Sequence, residues 1–115
     1  MTAVMAQQRL CFMLLIGCLF AGCTDSAVPV TLEALVSQQS SFDGQRVRTA
    51  GTLREFEPPY HVWIEDAGLN RVELLPADKL QAHVGQRVEV VGRFSYAAGV
   101  GRQIRLEVLE PAAAD

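Results

Sequence analysis

The sequence offers little that would support covalent cross-linking or catalysis. Its three cysteines, Cys11, Cys18 and Cys23, all lie within the first 23 residues, so no disulfide framework or thiolate metal site can form downstream. The sequence also lacks the phosphate-binding pattern G-x-x-x-x-G-K-[ST], the nucleophile pattern G-x-S-x-G and the zinc pattern H-E-x-x-H. We therefore predict a protein that is not an enzyme and that takes no cofactor and no metal.

An excess of basic residues is missing as well. The chain has 10 Lys and Arg residues against 13 Asp and Glu residues, a net charge of −3. Non-specific binding to nucleic acid depends on neutralising phosphates with surplus Lys and Arg, so this balance disfavours nucleic acid as a partner. A length of 115 residues is sufficient for a single domain.

One uncharged apolar run, residues 10–23, follows Arg9 near the amino terminus. A helix that crosses a membrane needs about 20 apolar residues, and this run is shorter. A basic residue followed by a short apolar run is typical of an export signal peptide. We predict that residues 1–22 are such a leader.

The end of that run, Leu19-Phe20-Ala21-Gly22-Cys23, resembles the lipobox of bacterial lipoproteins. The resemblance implies cleavage before Cys23, a diacylglycerol group on its thiol and an N-acyl chain on the new amino terminus. Two or three acyl chains give durable membrane attachment. Cys18 ends a similar pattern and is the alternative lipidation site, although cleavage there would leave a shorter apolar run.

The residue after Cys23 bears on where such a lipoprotein would reside. In that family, an Asp at this position marks retention in the inner membrane, and this sequence has Thr24. The resemblance therefore implies a cell-envelope location, at the outer membrane facing the periplasm if the source has two membranes. We expect residues 23–30 to form a lipidated tether, residues 31–110 the domain and residues 111–115 a frayed tail.

An internal repeat dominates the domain. Residues 44–53 match residues 85–94 at five identical positions. Each copy predicts a strand that begins after a glycine in a turn. Alternate residues of this strand are expected to face the interior. An inward glycine within a strand indicates a bulge or sharp bend, which helps a short sheet close on itself. The predicted inward residues are Val47, Thr49, Gly51 and Leu53 in the first copy, and Val88, Val90, Gly92 and Phe94 in the second.

The remaining elements complete an order of strands and helices. A short helix over residues 31–39 precedes the first copy, strands over 60–65 and 71–75 follow it, and a short helix over 76–83 precedes the second copy. A last strand over 103–109 places Ile104, Leu106 and Val108 on one face. This order resembles the OB-fold, a five-stranded Greek-key barrel of mainly β structure.

The outward positions of the first three barrel strands form the candidate binding face. Trp63 is the informative residue, because an indole on the polar side of a strand suggests a platform for a sugar ring, a base or a partner side chain. The alternative is that the N-terminal helix or a loop covers it. His61 and Glu65 lie about 13 Å apart along one strand, too far to chelate one ion. The candidate residues are Arg46, Arg48, His61, Trp63 and Arg71.

Two functions fit these features. The first expectation is a non-enzymatic, lipid-anchored envelope module that binds a protein partner or an envelope glycan. The alternative is an oligonucleotide-binding module, which the acidic net charge disfavours. A fold does not settle function, so the sequence names no specific ligand.

Overall fold

The computed structural model describes residues 26–113. The predicted leader and the predicted lipid site at Cys23 lie outside these residues and stay predictions. Within the described part of the chain, no helix is long and apolar enough to cross a membrane. The elements, in chain order, are β1 (Val28–Pro29), α1 (Leu32–Ser37), α2 (Gln39–Phe42), β2 (Arg46–Phe56), β3 (His61–Glu65), β4 (Arg71–Leu75), a 3-10 turn (Gln81–His83), β5 (Arg87–Ala97) and β6 (Gly101–Pro111).

The strands form one sheet that closes into a barrel. Their order is β1-β2-β3-β4-β6-β5, and β2 also pairs with β5, which completes the ring. The pairs β1–β2 and β4–β6 are parallel, and the others are antiparallel. The predicted five-stranded barrel is confirmed, with β1 as a short additional edge strand. The predicted helix between the third and fourth barrel strands is a single 3-10 turn.

Alternation along the strands fills the barrel interior. The predicted inward residues Val47, Leu53, Val88 and Phe94 are fully buried, as are the inward residues of β3 and β4. The helix α1 covers one end of the barrel through Leu32 and Leu35, and the Thr31 hydroxyl caps it by accepting a hydrogen bond from the Ala34 N–H at 3.1 Å. The polar and aromatic residues that alternate with these core residues lie on the outer face of the barrel.

The two copies of the repeat pair with each other around an approximate two-fold axis. Thr49 lies opposite Val90, and these residues occupy the same position in the two copies. Gly44 and Gly85 have φ angles of 89° and 86°, a left-handed conformation that favours glycine. The N–H of Gly44 donates to the carbonyl oxygen of Phe94, and that of Gly85 donates to the carbonyl oxygen of Leu53, both at 2.8 Å. Each copy therefore bonds its opening turn to the end of the other.

The inward glycines of the repeat are required by close neighbours. A Cβ at Gly51 would lie 2.8 Å from Leu32 Cδ1 and 2.9 Å from the backbone oxygen of Glu65. A Cβ at Gly92 would lie 2.8 Å from Ile104 Cγ2 and would collide with the backbone oxygen of Arg105. Larger residues would push α1 away from the barrel in the first copy, and β6 away in the second.

The prediction that Val108 shares the inward face of the last strand with Ile104 and Leu106 was wrong. Gly92 pairs with Leu106 and Val91 pairs with Val108, so Glu107 is an extra residue in β6. This bulge reverses the alternation, with the result that Val108 is 43% exposed and Leu109 packs against the core. A regular hydrophobic alternation cannot reveal a bulge, because the bulge depends on the partner strand.

Candidate functional site

Three aromatic rings lie side by side on the outer face of β2 and β3. Strand alternation turns His61 and Trp63 outward, because Val62 and Ile64 occupy the interior. Phe56 lies opposite His61 in the adjacent strand, and their ring centroids are 6.0 Å apart. The His61 and Trp63 centroids are 5.3 Å apart, with an angle of 31° between the planes. We call Phe56, His61 and Trp63 the aromatic row.

The aromatic row is accessible from outside the barrel. Phe56 is 59% exposed, and His61 and Trp63 are partly exposed, so neither the N-terminal helix nor a loop fully covers the indole. His61 is oriented by its Nδ1 atom, which lies 2.9 Å from the carbonyl oxygen of Pro59. Arg71 extends from β4 across the indole, with its guanidinium carbon 5.3 Å from the ring centroid, in a cation–π arrangement.

Glu65 joins the indole to two guanidinium groups. One carboxylate oxygen accepts hydrogen bonds from Trp63 Nε1 at 3.0 Å and from Arg71 Nε at 2.9 Å. The other accepts from Arg54 Nε at 3.2 Å. The bond from Trp63 is the main reason that the pKa of Glu65 is lowered. Burial opposes this shift, and the two arginines add to it. Glu65 is therefore ionised at neutral pH. Its carboxylate lies between the guanidinium groups of Arg54 and Arg71.

A groove of about 1100 Å³ adjoins the aromatic row. Arg54 and Glu65, which lie beside the aromatic row, also line the groove, while residues 29–32 and the turn after β3 form its walls. Asp66 holds that turn, accepting hydrogen bonds from the N–H groups of Gly68 and Asn70, both at 2.9 Å. Burial raises the pKa of Asp66, but the hydrogen bonds from Asn70 and Gly68 outweigh it and lower the pKa below its usual value.

The structure divides the face predicted from the sequence. His61, Trp63 and Arg71 come together, whereas Arg46 and Arg48 lie on the part of β2 that pairs with β5. Arg48 lines the groove and forms an ion pair with Glu89 at 3.2 Å, and Arg46 pairs with Glu107 at 2.7 Å. The division arises because β2 is long and changes partner from β5 to β3 at Thr52.

Sequence reasoning missed three contributors to the site. Phe56 and Arg54 lie beyond the end of the repeat, yet they continue its outward register on β2. Glu65 ends β3, and the sequence does not predict its role because that role depends on the cross-strand neighbours Arg54 and Arg71. Among residues 26–113, no group of three or more His, Cys, Asp or Glu side chains is placed to hold a metal ion.

The chain is similar to known proteins in structure but not detectably in sequence. No protein-family model matches the sequence, and no curated protein matches it. A chain of the Stn1–Ten1 complex from S. pombe superimposes with a TM-score of 0.57 at 16% identity, covering 80% of this chain and 82% of that chain. Replication protein A of U. maydis, bound to ssDNA, gives 0.53 at 18% identity, covering 76% and 73%. The hypothetical protein ygiW from E. coli gives 0.54 at 16% identity, covering 77% and 92%.

These similarities correct the first functional expectation. The prediction of a lipid-anchored envelope module for a protein partner or a glycan was wrong, because one of the similar structures is a protein bound to ssDNA, which is the ligand class of the alternative expectation. Net charge averages over the whole surface, so the acidic balance does not exclude nucleic acid as a partner. Beside the aromatic row, Arg54 and Arg71 share the carboxylate of Glu65, and Glu73 lies opposite Trp63 on β4. The closed ring of β2 to β6 and these neighbours together establish that the chain has the OB-fold.

Proposed function

We propose that the protein is a binding module, not an enzyme, and that its ligand is a single-stranded oligonucleotide. The aromatic row carries this proposal. Three rings with centroids 5.3 to 6.0 Å apart line the outer face of the barrel and offer consecutive surfaces for stacking. Stacking of a base on an aromatic side chain contributes about 1–3 kcal/mol and tolerates any base, because every base has a π face.

The charges around the aromatic row suit the backbone of such a ligand. Arg54 and Arg71 have half-exposed side chains, with 49% and 52% of their surface accessible. Both can donate to phosphate oxygens at the edge of the row, and Glu65 holds the two guanidinium groups beside the indole. A double strand hides the faces of its bases, so this arrangement favours a single strand. The similarity to Replication protein A bound to ssDNA supports the same ligand class.

Fluorescence anisotropy with a labelled oligothymidine of about 16 nucleotides tests the proposal. We expect the unmodified protein to bind it, with an affinity that decreases as salt increases. Trp63→Ala should weaken binding by about 5- to 150-fold, which corresponds to the loss of one stacked base.

Val108→Ala is the matched control, because Val108 is an exposed apolar residue on β6 and lies outside the aromatic row. It should bind as tightly as the unmodified protein. The proposal is wrong if the unmodified protein does not bind the oligothymidine, or if Trp63→Ala binds it equally well while remaining folded by circular dichroism.

A further inference from the structure

Three arginines lie next to one another on a different part of the outer surface. Arg46 on β2 is opposite Arg93 on β5, and Arg93 is opposite Arg105 on β6. All three point outward, since the residues beside them, Val47, Phe94 and Ile104, are buried in the core. Adjacent strands are about 4.8 Å apart, so the three residues span about 10 Å of surface. We call Arg46, Arg93 and Arg105 the arginine row.

This arrangement concentrates positive charge. Like charges directly opposite each other in a sheet destabilise it. Glu107 pairs with Arg46 at 2.7 Å, and Arg93 donates from Nη1 to the carbonyl oxygen of Gly44 at 3.1 Å. Within residues 26–113, Arg105 forms no ion pair and is exposed. An anion lying along the arginine row would relieve the repulsion.

The arginine row begins close to the aromatic row. Arg105 pairs with Leu75 on β4, and the preceding residue, Leu74, pairs with Val62 on β3. His61 is the residue before Val62, and both His61 and Leu75 occupy outward positions. Only β4 therefore separates His61 from Arg105, a distance of about 10 Å across two strand spacings. An oligonucleotide whose bases stack on the aromatic row would therefore pass close to Arg105 where it extends beyond His61.

We propose that the arginine row binds consecutive phosphates of the oligonucleotide whose bases stack on the aromatic row. The ligand then extends around the barrel from β3 across β4 to β6, β5 and the start of β2. A helically stacked strand carries one phosphate per roughly 3.4 Å, so the width of the arginine row corresponds to about three phosphates. This inference rests on the proposed function and adds a second, purely electrostatic part to the site.

The salt dependence of binding tests the arginine row. We would measure the affinity for oligothymidines of about 6 and about 16 nucleotides over a range of salt concentrations. Each phosphate contact on a single strand contributes a slope of about −0.7 in a plot of log K against log salt. The double variant Arg93→Ala/Arg105→Ala should flatten the slope for the longer ligand by about 1.4, and leave the slope for the shorter ligand unchanged.

Two further variants complete the experiment. Lys79→Glu changes the net charge by the same amount as the double variant, at an exposed residue outside both rows, and should leave both slopes unchanged. Arg105→Ala alone removes no side-chain hydrogen bond among residues 26–113, and should flatten the longer ligand's slope by about 0.7. This single variant keeps the test valid if loss of the bond from Arg93 to Gly44 impairs folding of the double variant.

The outcomes separate the two proposals. Unchanged slopes in the Arg93 and Arg105 variants, together with weakened binding by Trp63→Ala, would overturn the arginine row and leave the proposed function standing. An equal effect of Lys79→Glu would also overturn the arginine row, since the effect would then follow from net charge. Failure of the unmodified protein to bind either ligand would overturn both.

Discussion

Glu65 is the residue on which the geometry of the aromatic row depends. Its side chain is 12% exposed, and its carboxylate accepts hydrogen bonds from one indole and two guanidinium groups. Partners of this kind stabilise the charged form, and the pKa of Glu65 in the folded protein is therefore below its usual value. Ionised Glu65 therefore stabilises the folded protein at pH values above its pKa in the unfolded chain. This stabilisation is lost as the pH decreases through its pKa in the folded protein.

Glu65→Gln should therefore change how stability depends on pH. In the unmodified protein, the contribution of Glu65 should decline as pH falls from 4.5, the ordinary value for a glutamate, through the lower folded pKa. The variant should be less stable at neutral pH by roughly 1 kcal/mol, and its stability should fall less steeply on acidification. Thermal unfolding followed by circular dichroism across the acidic range measures both effects. Parallel curves for the two proteins would refute this role.

Thr49 carries a polar group at a position where its counterpart has none. It is 4% exposed, and its hydroxyl oxygen has no hydrogen-bond partner within residues 26–113. The equivalent residue of the second copy, Val90, lies directly opposite and is fully buried. A buried hydroxyl without a partner costs about 1–3 kcal/mol, whereas valine has nearly the same shape.

Thr49→Val should accordingly stabilise the barrel by about 1 kcal/mol. Urea unfolding measures the change as a higher midpoint with an unchanged slope. Val90→Thr is the reciprocal variant and should destabilise the protein, because it places a second hydroxyl in the same apolar interior. A lower midpoint for Thr49→Val would show that the Thr49 hydroxyl makes a stabilising interaction.

At the scale of elements, alternation and the repeat predict the strands well. They place Val47, Leu53, Val88 and Phe94 in the core and turn Trp63 outward, because each strand has one buried face. They do not predict which strand lies beside which. The change of partner along β2 and the bulge at Glu107 depend on closure of the ring, and they decide where Arg46 and Val108 are found.

The same limit explains why only part of the candidate site was predictable. The sequence identifies His61, Trp63 and Arg71, because outward residues on consecutive strands are neighbours when those strands form a hairpin. Phe56 joins them only because β2 continues beyond the repeat. The arginine row is less visible still, since Arg46 on β2 lies far in sequence from Arg93 on β5 and Arg105 on β6. Their proximity follows from the β2–β5 and β5–β6 registers.

At the scale of the whole molecule, the sequence predicts that residues 1–22 are a leader. The lipobox resemblance makes a prediction about Cys23 that does not depend on what the barrel binds. Cys23→Ser should abolish incorporation of labelled palmitate in a bacterial host and leave an uncleaved precursor. Cys18→Ser is the matched control and should be labelled as the unmodified protein is. Labelling that is lost with Cys18→Ser and retained with Cys23→Ser would move the site to Cys18.

The mutual bonding of the two repeat copies has a consequence for how the chain folds. Each turn has one local hydrogen bond, but the N–H groups of Gly44 and Gly85 bond to the other copy, and the paired strand residues are separated by roughly 40 positions along the chain. Neither copy can pair its strand before the other is in place. The ordering entropy of a long loop must therefore be lost before either copy is stabilised, which makes folding slow and nearly all-or-none. Fragments that each carry one copy should remain unfolded alone and acquire structure only when mixed.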